Sequence, residues 1–296
     1  MLPEPRTARN LQGRAEVSAA GLPPLLVRAE RVAHTVAQGV HGRRRVGLGE
    51  TFWQFRQYQP GDTPASIDWR QSAKREHVYV REFEWEAAQS VWLWRDSSPS
   101  MEYASSRNLP TKRDRAELLA VALASLMIRA GERIARLDRH DLPSTGRLAL
   151  SRLASGFGKD KGATDGIPGR TNLPRYSRAV LFGDFLDPLE KTAAAVRTLS
   201  AQGVDGLLMQ IADPVEEIWP FSGRVRFDGL EGEASQLVGR AETLKQAYRE
   251  RLQQHRAGLE AICDACNWGF TVHRTDKSPE SALMALYIRL GERAPR

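Results

Sequence analysis

From Ala88 onward the sequence alternates between two kinds of segment, and that alternation limits the fold more than any other feature. Four short apolar runs, "SVWLW", "RAVLFGDF", "VDGLLMQIAD" and "WGFTVHRT", are each long enough for one buried strand. Helical patterns lie among them. "KRDRAELLAVALASLMIRAGE" is apolar on most faces and therefore reads as buried. "LEKTAAAVRTLSAQG" is stopped by Gly203. "ASQLVGRAETLKQAYRERLQQHRAGLEAIC" reads as one long amphipathic helix, with Leu237, Ala241, Leu244, Tyr248, Leu252 and Leu259 on its stripe. "SPESALMALYIRL" carries Ser278 as N-cap and Pro279 at its first position. "RIARLD" and "GRLALSRL" read as further strands, and residues 155–178 as a long loop. Strands alternating with helices imply an α/β fold with a doubly wound, mostly parallel sheet covered on both faces. Ligands of such sheets bind beyond the carboxyl ends of the strands.

The part before Ala88 has a different character. Residues 1–22 read as a loose arm, followed by a short helix from Pro23 or Pro24 with Leu25, Val32 and Val36 on one stripe. A Gly-rich basic turn containing Arg43, Arg44 and Arg45 comes next. Then a polar, aromatic stretch alternates like short strands at "HVYVREFEW" and turns tightly at Pro60-Gly61-Asp62. These changes divide the chain into an arm and helix over 1–39, a small β-rich annex over 40–86 and an α/β domain over 87–296. The annex is too short and polar to stand alone, and Trp69 is expected to anchor it on the main sheet.

Composition excludes several classes. With 41% apolar and 27% charged residues the chain can build a real core. Its formal charge of +7 is spread without a long basic block, so nucleic acid is not an expected partner. No apolar run is long enough to span a membrane, and "MLPEPRTARN" lacks the apolar region of a secretory signal. The two cysteines, Cys263 and Cys266, supply neither a disulfide framework nor four zinc ligands. A reducing compartment follows, and the expected location is the cytoplasm. No phosphate-cradling Gly-rich motif and no Ser-His-Asp arrangement is legible, so the chain is not expected to be an enzyme.

The first strong strand ends in Arg95-Asp96-Ser97-Ser98-Pro99-Ser100-Met101. Alternate positions let one short loop aim the carboxylate of Asp96 and the hydroxyls of Ser98 and Ser100 at a single point, an all-oxygen set of the kind Mg²⁺ prefers. Asp184 ends a second apolar run and belongs on the same rim as a further carboxylate. The competing reading is an ordinary turn or helix cap.

The stretch from Asp96 to Met101, with its Asp-x-Ser-x-Ser pattern, resembles the metal-ion-dependent adhesion site of von Willebrand factor A (vWA) domains. The preceding "FRQYQPGDTPASIDWRQSAK" and "VYVREFEWE" resemble the signature of the bacterial family known as domain-of-unknown-function fifty-eight, over Arg56, Tyr58, Pro60, Gly61, Asp62, Ile67, Asp68, Trp69, Arg81 and Glu82. The resemblance covers roughly residues 40–215. It implies a vWA-like fold, a Mg²⁺ site at Asp96, Ser98, Ser100 and Asp184, and a MoxR-type AAA+ ATPase as partner in the assembly or maturation of protein complexes. The vWA pattern also has a metal-binding threonine, for which Thr171 in "GRTNLP" is the candidate, ahead of Thr164. Only eight residues, Pro174 among them, separate Thr171 from Val180, too few for the usual intervening helix. The resulting function is a protein-binding module with a Mg-dependent adhesion site. A metal-dependent hydrolase and a metal-free scaffold are the alternatives.

Overall fold

The computed structural model describes residues 24–40, 52–58, 67–74, 77–83, 89–139, 141–159 and 166–292. The arm over 1–22, the Arg43–Arg45 turn, the Pro60-Gly61-Asp62 turn and Thr164 lie outside the described residues.

The main sheet contains β3 (Ser90–Arg95), β4 (Arg133–Arg136), β5 (Arg178–Gly183), β6 (Asp205–Ala212) and β9 (Gly269–Arg274), in the order β4-β3-β5-β6-β9. All four pairings are parallel. Helices supply the crossovers: α3 (Lys112–Arg129) between β3 and β4, α4 (Gly146–Lys159) before β5, α5 (Leu189–Ala201) before β6, and α7 (Lys245–Ala265) before β9. The chain then ends in α8 (Pro279–Glu292), where the Ser278 hydroxyl accepts the Glu280 N–H.

Side chains alternate across the strands, so each strand feeds two cores. Val91 and Leu93 of β3, Val180 and Phe182 of β5, and Leu207, Met209 and Ile211 of β6 pack in one cluster with α3, α4 and α8. Trp92 and Trp94 face the other way, with Leu181, Leu208, Val196 of α5, and Leu259 and Cys263 of α7. The expected α/β class is therefore the one observed, with helices on both faces of a parallel sheet. The N-terminal helix α1 (Pro24–Val40) belongs to the first core. Leu26, Ala29, Val32, Ala33 and Val36 are buried in the cluster that includes α3 and α8, with Leu25 only partly buried.

Three expectations fail. "GRLALSRL" is the start of α4 rather than a strand, and α4 runs on to Lys159, into the segment from residue 155 that is expected to be a loop. Its buried residues Ala149, Leu150, Leu153, Ala154 and Phe157 recur at helical spacing, and a reading confined to eight residues missed the period. The long helix expected from Ala234 begins only at Lys245. Before it, β7 (Val225–Phe227) and β8 (Gln236–Val238) form an antiparallel hairpin, and Leu237 is exposed. Gly239 interrupts the apparent stripe, and ladder pairing of Val238 with Val225 wins over helix propensity. Trp69, the expected anchor, is 67% exposed. It opens the single turn α2 (Trp69–Ser72), which is fastened to β2 (Tyr79–Phe83) by hydrogen bonds instead: the Asp68 N–H donates to the Tyr79 carbonyl at 2.9 Å, and the Tyr79 N–H to the Ser72 hydroxyl at 2.9 Å. β2 pairs antiparallel with β1 (Phe52–Gln57) as a separate two-stranded sheet, the β-rich annex.

Candidate functional site at the sheet switch point

Strand order reverses between β3 and β5: the chain leaves β3 to one side for β4, then crosses to the other side for β5. The loops at the carboxyl ends of those two strands diverge, which leaves a crevice. Asp96 follows β3 and Asp184 follows β5, so both carboxylates stand at that crevice. The Asp96 N–H donates to the Phe182 carbonyl at 2.8 Å, prolonging the β3–β5 ladder by one residue and fixing where the loop departs.

The loop motif then closes on itself. The Ser98 N–H donates to Asp96 Oδ1 at 2.8 Å. The Ser98 and Ser100 hydroxyls are 3.0 Å apart, and the Ser100 hydroxyl donates to Asp184 Oδ2 at 2.7 Å. Pro99 opens a 3₁₀ turn over Pro99–Glu102 whose Met101 is fully buried, which pins the loop to the core. Four of the five expected site residues are therefore brought together. Thr171 is committed elsewhere. Its hydroxyl donates to the Leu137 carbonyl at 3.1 Å, tying its loop to the end of β4, and the Gln202 amide holds its own carbonyl.

The site is buried. Asp96 has no exposed surface, Ser98 and Asp184 are nearly as covered, and Ser100 is half-buried. Backbone covers Asp96. A Cβ at Gly183 would lie 3.1 Å from the Asp96 Cβ, and one at Gly166 would lie 3.4 Å from Asp96 Oδ2. Glycine at both positions lets main chain come this close. Among the described residues, Asp96 Oδ2 has no hydrogen-bond partner. Burial above all, and then the charge of Asp184, raises the Asp96 carboxyl from 3.8 to about 6.

Two participants were not expected. Lys112, the first residue of α3, is buried, and its Nζ lies 2.9 Å from Asp184 Oδ2 and 2.7 Å from Glu216 Oε1. Burial opposes its charge, but Asp184 and Glu216 outweigh that and hold it above the ordinary lysine value. Glu216 is positioned by α6 (Pro214–Ile218), where it forms a capping box with Asp213. The Asp213 N–H donates to Glu216 Oε2 at 2.7 Å, leaving Oε1 for the lysine. The opposite side of Asp184 is braced by Gln210 of β6, whose amide donates to the Asp184 carbonyl at 2.8 Å and accepts from Arg256 at 2.8 Å. A lysine opening a helix is the one sequence signal for Lys112, because the positive end of the helix dipole disfavours a cation there.

The oxygen chemistry of the site suits a hard cation: two carboxylates, Asp96 and Asp184, and the Ser98 and Ser100 hydroxyls, with one buried carboxylate oxygen that lacks a partner among the described residues. Among the described residues no group of three or more His, Cys, Asp or Glu side chains is placed to hold a metal ion, so Glu216 serves the lysine and not the ligand set. The cavity beside Asp184, lined by Leu186, Gln210, Glu216, Tyr248 and Arg256 among others, holds only about 10 Å³. That is the space of about one water molecule.

The family model described as "Protein of unknown function DUF58" matches residues 54–258. The chain belongs to the DUF58 family. The match spans the second half of β1, the whole Asp-x-Ser-x-Ser loop and most of α7. Relatives of this DUF58 chain include the uncharacterized proteins Rv1480 of Mycobacterium tuberculosis and Mb1516 of Mycobacterium bovis. Each is 25% identical over 274 residues, covering 88% of this chain and 85% of the relative. Among solved structures, an aerotolerance-related membrane protein from Bacteroides fragilis aligns at a TM-score of 0.41 with 12% identity, over 69% of this chain and 100% of its own. The conserved hypothetical protein BatB from Bacteroides thetaiotaomicron aligns at 0.40 with 10% identity over the same shares. Among the described residues of this DUF58 chain, no helix is long and apolar enough to cross a membrane.

Proposed function

We propose that this chain is a cytoplasmic, non-enzymatic protein-binding module whose docking point is a Mg²⁺ site at the crevice between β3 and β5. Asp96, Ser98, Ser100 and Asp184 would hold the ion. A bound Mg²⁺ supplies an electrophilic centre that an acidic side chain of a partner can complete. The protein's own groups do the rest: Ser98 and Ser100 in series link the two carboxylates, Gln210 fixes the backbone of Asp184, and the glycine-lined cover keeps Asp96 out of water. The observation that carries this reading is the fully buried, partnerless Oδ2 of Asp96, because folding around an unpaired carboxylate oxygen is costly unless a cation or proton joins it.

The partner that the family resemblance implies is a MoxR-type AAA+ ATPase. The test is co-precipitation of the purified chain with such an ATPase from the same genome, in Mg²⁺ and in EDTA, with wild type and Asp96→Ala. Capture by wild type in Mg²⁺ alone is expected. Equal capture in EDTA, or by Asp96→Ala, refutes the metal-dependent reading. A metal-free scaffold has one observation in its favour: Lys112 already neutralises Asp184.

A further inference from the structure

Among the groups at the crevice, Lys112 has no part in the ligand set just described. Its side chain is almost wholly buried, so it cannot itself greet a partner. It nevertheless contacts the same oxygen, Asp184 Oδ2, that receives the Ser100 hydroxyl. The other Asp184 oxygen accepts the Leu186 N–H at 3.3 Å. Both oxygens of this carboxylate are thus engaged, whereas Asp96 retains a partnerless one.

We propose that Lys112 is a tethered competitor of the divalent cation: its ammonium holds Asp184 when the ion is absent, and Glu216 retains the ammonium when the ion takes Asp184. This rests on the metal reading of the site.

The lysine's two contacts differ in what fixes them. Glu216 is anchored by the capping box of α6, and its Oε1 lies 2.7 Å from Nζ, so it offers a ready-made second seat. The backbone of Lys112 cannot follow a displacement, because Thr111 caps α3 with its hydroxyl accepting the Asp114 N–H at 3.0 Å. Exchange is therefore a rotation of a long, flexible side chain that leaves one carboxylate and keeps the other. A dipositive ion attracts Asp184 more strongly than an ammonium at the same distance, and it also satisfies Asp96, which the lysine does not contact. In the absence of the ion, the ammonium prevents Asp184 and Glu216 from standing uncompensated. The outcome is a site whose affinity for a divalent ion is set below that of its bare oxygen ligands, so that a partner's carboxylate is needed to complete tight capture.

The experiment is Mn²⁺ titration, read by calorimetry and by the loss of the free-ion electron paramagnetic resonance signal, on the full chain. Wild type, Lys112→Met, Lys112→Gln and Glu216→Gln are compared, and thermal melts in Mn²⁺ identify the folded variants. Lys112→Gln keeps a hydrogen-bond donor on the carboxylates in case the methionine variant does not fold. Removal of the charge is expected to tighten Mn²⁺ binding on the order of tenfold. Glu216→Gln is expected to weaken it, because the lysine is then confined to Asp184. Equal or weaker binding by the folded lysine variants overturns the proposal, as does their failure to bind at all. Asp96→Ala separates the two ideas. If wild type binds Mn²⁺ and Asp96→Ala binds it equally, the metal reading itself has failed. If Asp96→Ala loses binding while the lysine variants match wild type, only the competitor has failed.

Discussion

His273 should make this protein lose stability in mild acid, and removing it should cancel that loss. The ring lies on β9, 5% exposed, with Nε2 2.9 Å from Nη1 of Arg115. A guanidinium can only donate, so Nε2 accepts and the proton of the neutral ring sits on Nδ1. Burial, and then the charge of Arg115, lowers the His273 pKa from 6.5 to about 4, with Asp276 opposing weakly. In the unfolded chain the ring takes up a proton near 6.5, and in the native protein only near 4. The unfolded state therefore binds more protons across that window, and stability falls as pH drops through it. Between about pH 7.5 and 4.5 the linkage amounts to about 2–3 kcal/mol. Asp96 works in the opposite direction. Its raised value gives stability that is present below 3.8 and is lost as pH rises through about 6, so the wild-type profile conceals part of each effect. The clean measurement is a difference: urea unfolding of wild type and His273→Gln at several pH values between about 4.5 and 7.5. The glutamine variant is expected to gain on wild type by about 2–3 kcal/mol on going to the acid end of that range, whatever its offset at the neutral end. A difference that stays constant within about 0.5 kcal/mol would mean that His273 titrates normally, and its burial against Arg115 would be wrong.

Asp96→Asn, measured in EDTA at about pH 7, should raise the unfolding free energy by about 1–3 kcal/mol, because folding no longer buries a partnerless charge. It should also remove the Asp96 part of the pH profile, and a destabilised variant would argue for a hidden partner at Oδ2. Gly206→Ala places a Cβ 2.6 Å from the ring of Trp268, which is fully buried and donates from Nε1 to the Val204 carbonyl at 3.0 Å. Chemical denaturation should report a loss of about 1–3 kcal/mol from that overpacking. Trp69→Ala, at a side chain 67% exposed, should change stability by no more than about 0.5 kcal/mol.

The strands were legible because each is a short apolar run bounded by turn residues, and Asp96 and Asp184 were legible because they stand where such runs stop. A doubly wound sheet then carries both aspartates to one edge without further information. The failures have local causes. The helical period of α4 is visible only over more residues than the strand-like "GRLALSRL" offers. Leu237 fits the spacing of a helix yet pairs in β8, because non-local ladder bonds to β7 decide the matter. Thr171 shares a residue type with the adhesion-site threonine, but its hydroxyl is spent on Leu137. Burial of Asp96 could not be read at all, since it depends on the approach of Gly166 and Gly183 from distant parts of the chain.

The first turn of α3 shows most clearly what a pattern of apolar residues leaves out. "TKRDRAE" opens a helix whose burial is read from its apolar faces alone, and its cations oppose the positive end of the helix dipole. Each basic side chain nevertheless has a separate destination. Lys112 reaches Asp184 after β5 and Glu216 after β6. Arg113 pairs with Glu102 in the turn after β3 and with Glu117 on its own helix. Arg115 reaches His273 at the end of β9 and donates to the Thr275 and Lys277 carbonyls beyond it. One helical turn thus fastens the carboxyl ends of four of the five sheet strands, with the candidate cation site between the first two of them. A cation placed against the dipole is retained because it neutralises buried carboxylates and carbonyls from the rim. The same turn therefore touches the crevice through Lys112 and the end of β9 through Arg115, so the charges that close the first and the hydrogen bonds that close the second depend on one N-terminus, that of α3.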